Sequence, residues 1–218
     1  MLQSSNSGMK QYYTERAPVY DRIYDYPERQ EDFRFMENYI PEQLKGLDVI
    51  EIAAGTGYWS QFIVQQTKTL LATDASIETL RELEKKDLTN NIATKVTDAY
   101  SLKEINGSFN GAFAGLWLSH IPKKRLTDFL GSLHQKLSPG AKVVFMDNTN
   151  AQCDRLPLAH TDAEGNTYQD RALDNGTMYR IIKNFLSEVE LTEAIEGFGI
   201  NPKYTLLEHF WIFEYDAV

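Results

Sequence analysis

The sequence predicts an α/β fold: an open, mostly parallel sheet with helices on both faces. Three observations predict it. From residue 47 onward, short apolar runs rich in Val and Ile alternate with amphipathic helical stretches. Those runs are nearly continuous rather than alternating, as strands covered on both faces require. The first run ends in Gly55-Thr56-Gly57, placed between a strand and a helix.

The elements follow in order. Residues about 9–26 hold five of the twelve tyrosines, and Pro18 divides them into two helical pieces. Tyr13, Ala17, Tyr20 and Tyr24 fall at helical spacing, so their side chains share a face. Pro27 and Pro41 bracket a further helix with Phe33, Met36 and Ile40 inward. Strands are expected at Leu47 to Ala53, Thr69 to Thr73, residues 92–98, Phe113 to Leu118 and Ala141 to Asp147. Ser76 is the expected N-cap of a helix carrying Ile77, Leu80 and Leu83. Lys123 to Leu137 is the helix before the fifth strand, which Pro139-Gly140 introduces by a turn. Beyond residue 150, Asp174-Asn175-Gly176 marks a hairpin between Asn166 to Leu173 and Thr177 to Phe185. Glu188 to Phe198 reads as the last helix and residues 203–216 as one or two terminal strands.

Length and composition bound the function. A chain of 218 residues with 42% hydrophobic and 24% charged residues is one ordinary globular domain. Its formal net charge of −9 disfavours nucleic acid and anionic membranes as partners. One cysteine, Cys153, forms no internal disulfide, and the scattered His134, His160 and His209 have no ligand spacing, so no metal site is expected. The start lacks a signal-peptide pattern and no apolar run reaches membrane-span length, so a cytoplasmic location is expected. A monomer or a homodimer is equally compatible with this composition.

The site chemistry gathers at strand ends. In Glu51-Ile52-Ala53-Ala54-Gly55-Thr56-Gly57, glycines permit positive φ and close approach of a ligand to the backbone. Asp74 closes the next strand, where a carboxylate can accept hydrogen bonds from both hydroxyls of a ribose. Asp98 closes the third. In open α/β sheets the carboxyl ends of the strands form the ligand crevice, so three acids and a glycine turn converge on one groove. Gly55-x-Gly57-x-x-Ser60 approaches a dinucleotide fingerprint, which brings NAD into consideration. Against it, the charge of Glu51 would repel a pyrophosphate, and a zwitterionic sulfonium ligand meets no such objection. No P-loop lysine pattern occurs.

These residues carry a family resemblance. EIAAGTG, ATDAS, VTDAY and the FNGAFAGLWLSHIP stretch before LHQKLSPGAKVVFMD resemble the class I S-adenosylmethionine-dependent methyltransferases, well over about residues 10–150 and more loosely beyond. The layout is similar to the ubiquinone and menaquinone biosynthesis methyltransferases. The resemblance implies a Rossmann-like, seven-stranded sheet with an antiparallel C-terminal strand. It implies one domain over residues 1–218: a helical lid at 1–45, a cofactor core at 46–150, and a hairpin insertion with terminal strands at 151–218. It also implies S-adenosylmethionine as cofactor and S-adenosylhomocysteine as product. The glycine turn would cradle the methionine moiety, Asp74 the ribose, Asp98 the adenine amino group and the Ala99 backbone the ring, with Leu116 to Leu118 near the sulfonium. The expected cofactor set is Glu51, Ala53, Gly55, Thr56, Gly57, Trp59, Asp74, Ala75, Asp98, Ala99, Leu116 and Tyr20. Asn110-Gly111 departs from the family, many of whose members open strand four with an acid.

Acceptor chemistry is read from the remaining residues. Tyr12, Tyr13, Arg16 and Trp117 are the expected acceptor contacts, with Arg16 able to meet a carboxylate. His120 follows strand four, where an imidazole can act as a general base; capping the next helix is its plain structural alternative. The hairpin at residues 166–185 is the expected specificity element, or else an edge ribbon or dimer contact. The reading is methyl transfer to a small acceptor, expected to be apolar or aromatic. A non-catalytic cofactor-binding or protein-interaction module and an NAD-dependent oxidoreductase are the alternatives.

Overall fold

A computed structural model describes residues 6–88 and 91–218. The expectation of no leader pattern rests partly on residues 1–5, which lie outside the described residues. Helix α1 (Asn6–Arg16) leads into a 3-10 segment, Ala17–Tyr24, whose second residue is Pro18. Pro18 has no N–H to leave unpaired in a first turn, so it divides the pieces without breaking either. A second 3-10 turn, Pro27–Arg29, precedes α2 (Gln30–Gln43), which buries Phe33, Met36 and Ile40 as their spacing requires. Pro41 lies inside the last turn of α2 rather than beyond it.

The core then alternates: β1 (Asp48–Ile52), α3 (Ser60–Ile63), β2 (Thr69–Asp74), α4 (Ile77–Glu84), β3 (Ile92–Val96), β4 (Phe109–Gly115), α5 (Leu126–His134) and β5 (Leu137–Asn148). Ser76 caps α4, its hydroxyl accepting from Thr79 N at 3.4 Å. β4 ends earlier than its apolar run predicts. Leu116 turns the chain with φ +56°, and Leu118–His120 form a 3-10 turn. Trp117 and Ser119 therefore do not share a strand face. β5 begins before Pro139-Gly140, and its register with β4 shifts between Phe109 and Gly111.

After β5 come β6 (His160–Thr161), β7 (Thr167–Ala172), β8 (Met178–Ile182), α6 (Glu188–Ala194), β9 (Gly199–Leu206) and β10 (Phe210–Ala217). The main sheet has seven strands in the order β3-β2-β1-β4-β5-β10-β9. β1 to β5 pair parallel, and β10 runs antiparallel to both β5 and β9. β6, β7 and β8 form a separate antiparallel sheet, so the predicted hairpin is not an edge ribbon of the main one.

Strand alternation assigns side chains to two layers. Ile50, Ile52, Val143, Phe145, Trp211 and Phe213 join α5 and α6 on one face. Val49, Val144, Met146, Phe210 and Ile212 join α2 and α3 on the other. Tyr12 with Tyr179 and Ile181 makes a small satellite core that fastens α1 to β8. Among the described residues, no helix is long and apolar enough to cross a membrane.

Candidate functional site

The crevice lies where β1, β2 and β4 end. Order reversal between β1 and β4 leaves it open there, as doubly wound sheets do at a switch point. Two non-glycine residues border it with positive φ, Ala53 at +54° and Leu116 at +56°. Such backbone costs about 1–3 kcal/mol at each position. Gly55 has φ +58°, and a Cβ there would meet nothing within 4 Å, so the turn leaves ligand space at its tip.

The groove has a volume of about 560 Å³, within the range of about 300–1,000 Å³ typical of small-molecule pockets. Eleven of the twelve expected cofactor residues line it: Glu51, Ala53, Gly55, Thr56, Trp59, Asp74, Ala75, Asp98, Ala99, Leu116 and Tyr20. Gly57 does not. Its missing side chain instead makes room for α4, because a Cβ would lie 2.4 Å from Leu83 Cγ. Packing against Leu83 together with its φ of +77° accounts for glycine at this position.

Asp74 accepts from Gly55 N at 3.0 Å through one oxygen and from Ser76 N at 2.8 Å through the other. The Thr79 hydroxyl and the Ala75 N–H also support the carboxylate, which lines the groove. Burial raises its pKa, with these hydrogen bonds opposing. Asp98 is exposed and uses one oxygen to accept from Tyr100 N at 2.9 Å. Arg125 stacks on the Tyr100 ring at 3.6 Å beside it. Glu51 is fully covered, and burial pushes its carboxyl up to about 8 despite the Ser60 hydroxyl donated at 2.6 Å. The indole N–H groups of Trp59 and Trp117 are buried at the groove without a partner among the described residues. The acid at the end of β2 and the open glycine tip fit a ligand that carries a ribose.

The amino-terminal segment covers this crevice. Tyr13 and Tyr20 meet edge to face at 5.9 Å, and Tyr20 and Tyr24 at 6.3 Å, which bears out their shared face. Tyr24 stacks on Tyr58 at 3.4 Å. Asp21 accepts from the Thr56 hydroxyl and, at 2.7 Å, from Lys86, so the cap is fastened to the glycine turn itself. Tyr12 is the exception. It is 1% exposed, lines neither cavity, and packs on Tyr179 at 5.6 Å, apart from the groove where an acceptor contact was expected of it.

His120 and Trp117 line the groove with Tyr13. His120 Nδ1 lies 2.7 Å from the Ile182 carbonyl, which can only accept, so this nitrogen carries the hydrogen. Nε2 therefore accepts from the Tyr13 hydroxyl at 2.8 Å. Arg171 donates to the same hydroxyl at 3.1 Å. Burial, with Lys183 and Arg171 nearby, lowers the imidazole pKa to about 3. The ring is neutral at physiological pH.

Beyond Leu116 and His120 the groove adjoins a smaller pocket of about 50 Å³, which shares Tyr13, Tyr20, Leu116 and His120 with it. Arg16, the remaining expected acceptor contact, lines this pocket. Sequence reasoning missed Arg29, Arg171 and Lys183, which join it there from an early turn and from the hairpin. The signal available was the hairpin itself, singled out as a specificity element without its charges. Lys183 is fully committed: it donates to Asp147 at 2.9 Å, Asn148 at 2.9 Å and Ser119 at 2.8 Å. Burial lowers its pKa to about 8 although Asp147 supports the charge. The pocket wall is thus cationic, where an apolar or aromatic acceptor was expected.

Comparison with known proteins follows the same line. Residues 49–140 match the family model described as a methyltransferase domain. No curated protein matches the chain. A solved complex of DhpI with S-adenosylhomocysteine is similar at 25% identity and a TM-score of 0.80, covering 97% of this chain and 96% of that one. A DhpI complex with SAM and HEP gives 25% identity and a TM-score of 0.79 over 98% and 99% of the two chains. The N-methyltransferase NodS from Bradyrhizobium japonicum WM9, with S-adenosylhomocysteine, shares the fold at 13% identity and a TM-score of 0.69, over 96% and 98%.

Proposed function

The chain is a class I S-adenosylmethionine-dependent methyltransferase, and from that premise we propose that it methylates a small molecule held between the amino-terminal cap and the end of β4. One observation supports the acceptor size: past Leu116 and His120 the groove adjoins a pocket of only about 50 Å³, with Tyr13 and Tyr20 in the walls of both.

The cofactor supplies an activated methyl group, and in-line displacement needs little more than alignment and dryness. In this reading the Gly55 turn and Glu51 hold the amino-acid end, Asp74 takes the ribose hydroxyls, and Asp98 with the Ala99 backbone takes the base. Thr56 keeps the glycine turn fastened to the cap through Asp21. Leu116 and Tyr20 flank the reacting carbon, and Trp117 walls it. Tyr13 touches the acceptor, with its hydroxyl direction set by Arg171 and His120. His120 is then a positioning residue. Its two ring nitrogens are both occupied, and an imidazole with a pKa of about 3 is a poor proton acceptor at neutral pH. The arrangement as one domain, with residues 1–45 as cap and 151–218 as hairpin and terminal strands, belongs to the same reading.

The test is turnover. Incubation with S-adenosylmethionine and a panel of small acids, alcohols, phenols and amines should yield a methylated product by mass spectrometry. Asp74→Ala should abolish it at limiting cofactor. Methylation of proteins or peptides with none of the small acceptors would contradict the reading.

A further inference from the structure

The pocket beside His120 is notable for what faces it. Arg16, Arg29, Arg155, Arg171 and Lys183 line it, and no aspartate or glutamate does. This occurs in a chain whose formal net charge is −9. Two of the five cations are already answered nearby, Lys183 by Asp147 at 2.9 Å and Arg155 by Glu28 at 2.9 Å. The other three are not.

Arg29 is 6% exposed, and its guanidinium has no hydrogen-bond or ion-pair partner among the described residues. It is held between rings, 5.0 Å from the Tyr26 centroid and 5.8 Å from that of Phe210, and its Nε is buried and unpaired. Arg171 is 7% exposed and donates only to neutral groups, Tyr13 Oη at 3.1 Å and Gln169 Oε1 at 2.8 Å. Its Nε is likewise buried without a partner. Arg16 donates to Tyr12 Oη at 2.6 Å and stacks on Tyr12 and Tyr20, again with no acid. Buried charges are ordinarily paired, because taking an ion out of water without a counter-charge is strongly unfavourable. Guanidinium groups are the side chains best matched to carboxylate and phosphate geometry.

Resting on the methyltransferase reading above, we propose that this arginine-lined pocket is the seat of an oxyanion group on the acceptor. The acceptor is thus a small acid, a carboxylate or a phosphoryl or phosphonyl compound. The pocket's size agrees. About 50 Å³ exceeds the roughly 10–15 Å³ that a single water needs and suits a group of a few atoms. Tyr13, Tyr20, Leu116 and His120 belong to both cavities, so an acid seated here presents its remaining atoms to the methyl-donor end of the groove. The three arginines without an acid come from three elements: α1, the Pro27–Arg29 turn and β7. The cap and the hairpin sheet therefore make one binding site together.

The experiment is titration of the S-adenosylhomocysteine-saturated protein with inorganic phosphate, methylphosphonate or acetate at constant ionic strength. Calorimetry and melting temperature report the outcome, with chloride as the control. At least one oxyanion should bind one to one and raise the melting temperature; phosphate and methylphosphonate against acetate separates tetrahedral from planar groups. Arg29→Gln, which removes no protein hydrogen bond, should weaken that binding tenfold or more and leave S-adenosylhomocysteine affinity within about twofold. Arg171→Gln, the second variant, should weaken the anion binding as well. Saturable S-adenosylhomocysteine binding without response to any of the three anions overturns the oxyanion seat and leaves the methyltransferase reading standing. An anion response that survives both substitutions also overturns it. Failure to bind S-adenosylhomocysteine overturns both.

Discussion

At the scale of single residues, two buried titratable groups carry opposite expectations. His120 is held neutral, since burial and the neighbouring Lys183 and Arg171 lower its pKa to about 3. Its charge change thus lies far below neutral pH, and kcat should show no acid limb with a midpoint near 6.5. His120→Asn should lower kcat through a misdirected Tyr13 hydroxyl without altering the shape of the pH profile, and Tyr13→Phe should reproduce most of that loss. A limb near pH 6.5 that vanishes in His120→Asn would make the imidazole the general base instead. Folding is linked the same way: a folded pKa below the unfolded one contributes stability above about pH 6.5, lost progressively as pH falls toward 3. Glu51 behaves in reverse. Burial holds its pKa at about 8, so the free protein carries the proton at neutral pH. A cationic amino group of the ligand beside it favours the carboxylate, so binding releases a proton. Affinity for S-adenosylhomocysteine should rise between pH 6 and 8, by at most about tenfold per unit. Calorimetry in buffers of different ionisation enthalpy should detect the released proton in wild type and not in Glu51→Gln; equal heats in wild type would remove Glu51 from contact with the amino end.

At the scale of elements, the amino-terminal cap is bound more tightly than a loose lid. Asp21 joins Thr56 and Lys86, Thr14 donates to Ser76 at 3.1 Å, and Tyr12 packs against β8. Hydrogen exchange should still slow in residues about 10–26 when S-adenosylhomocysteine binds, because their ring stack and Met9 line the groove it fills. Asp21→Ala should raise exchange in residues 17–24 and weaken ligand affinity severalfold. Equal exchange with and without ligand would leave these tyrosines as packing alone. What sequence revealed about this element depended on periodicity. Tyr13, Ala17, Tyr20 and Tyr24 recur on one helical face, whereas Tyr12 is a residue off that face; the three tyrosines of the former set line the groove and Tyr12 does not. The end of β2 was legible at Asp74, whereas Asp98, expected to close the third strand, lies two residues past β3 in an isolated bridge with Ser101. The end of β4 was not legible, because Leu116 adopts φ +56° with no glycine to announce it.

At the scale of the whole molecule, the division of the site follows the division of the chain. The cofactor half is built from consecutive strand ends, so its residues could be read in order along the sequence. The oxyanion half joins Arg16 and Arg29 to Arg171 across more than half the chain, and only tertiary packing reveals it. The same packing explains why an acidic protein can offer a cationic pocket: net charge describes a surface average, while the site is a local arrangement. The account depends first on the groove receiving its cofactor. In the proposed reading Asp74 accepts charge-assisted hydrogen bonds from the ribose, each worth about 1.5–3 kcal/mol, so their loss should weaken binding at least about tenfold. Isothermal titration of wild type and Asp74→Ala with S-adenosylhomocysteine, and of wild type with NAD, measures this directly. The account predicts one-to-one binding of S-adenosylhomocysteine, at least tenfold weaker in a folded Asp74→Ala, and no comparable heat from NAD. Tight NAD binding with no response to S-adenosylhomocysteine, or unchanged affinity in the variant, would contradict it.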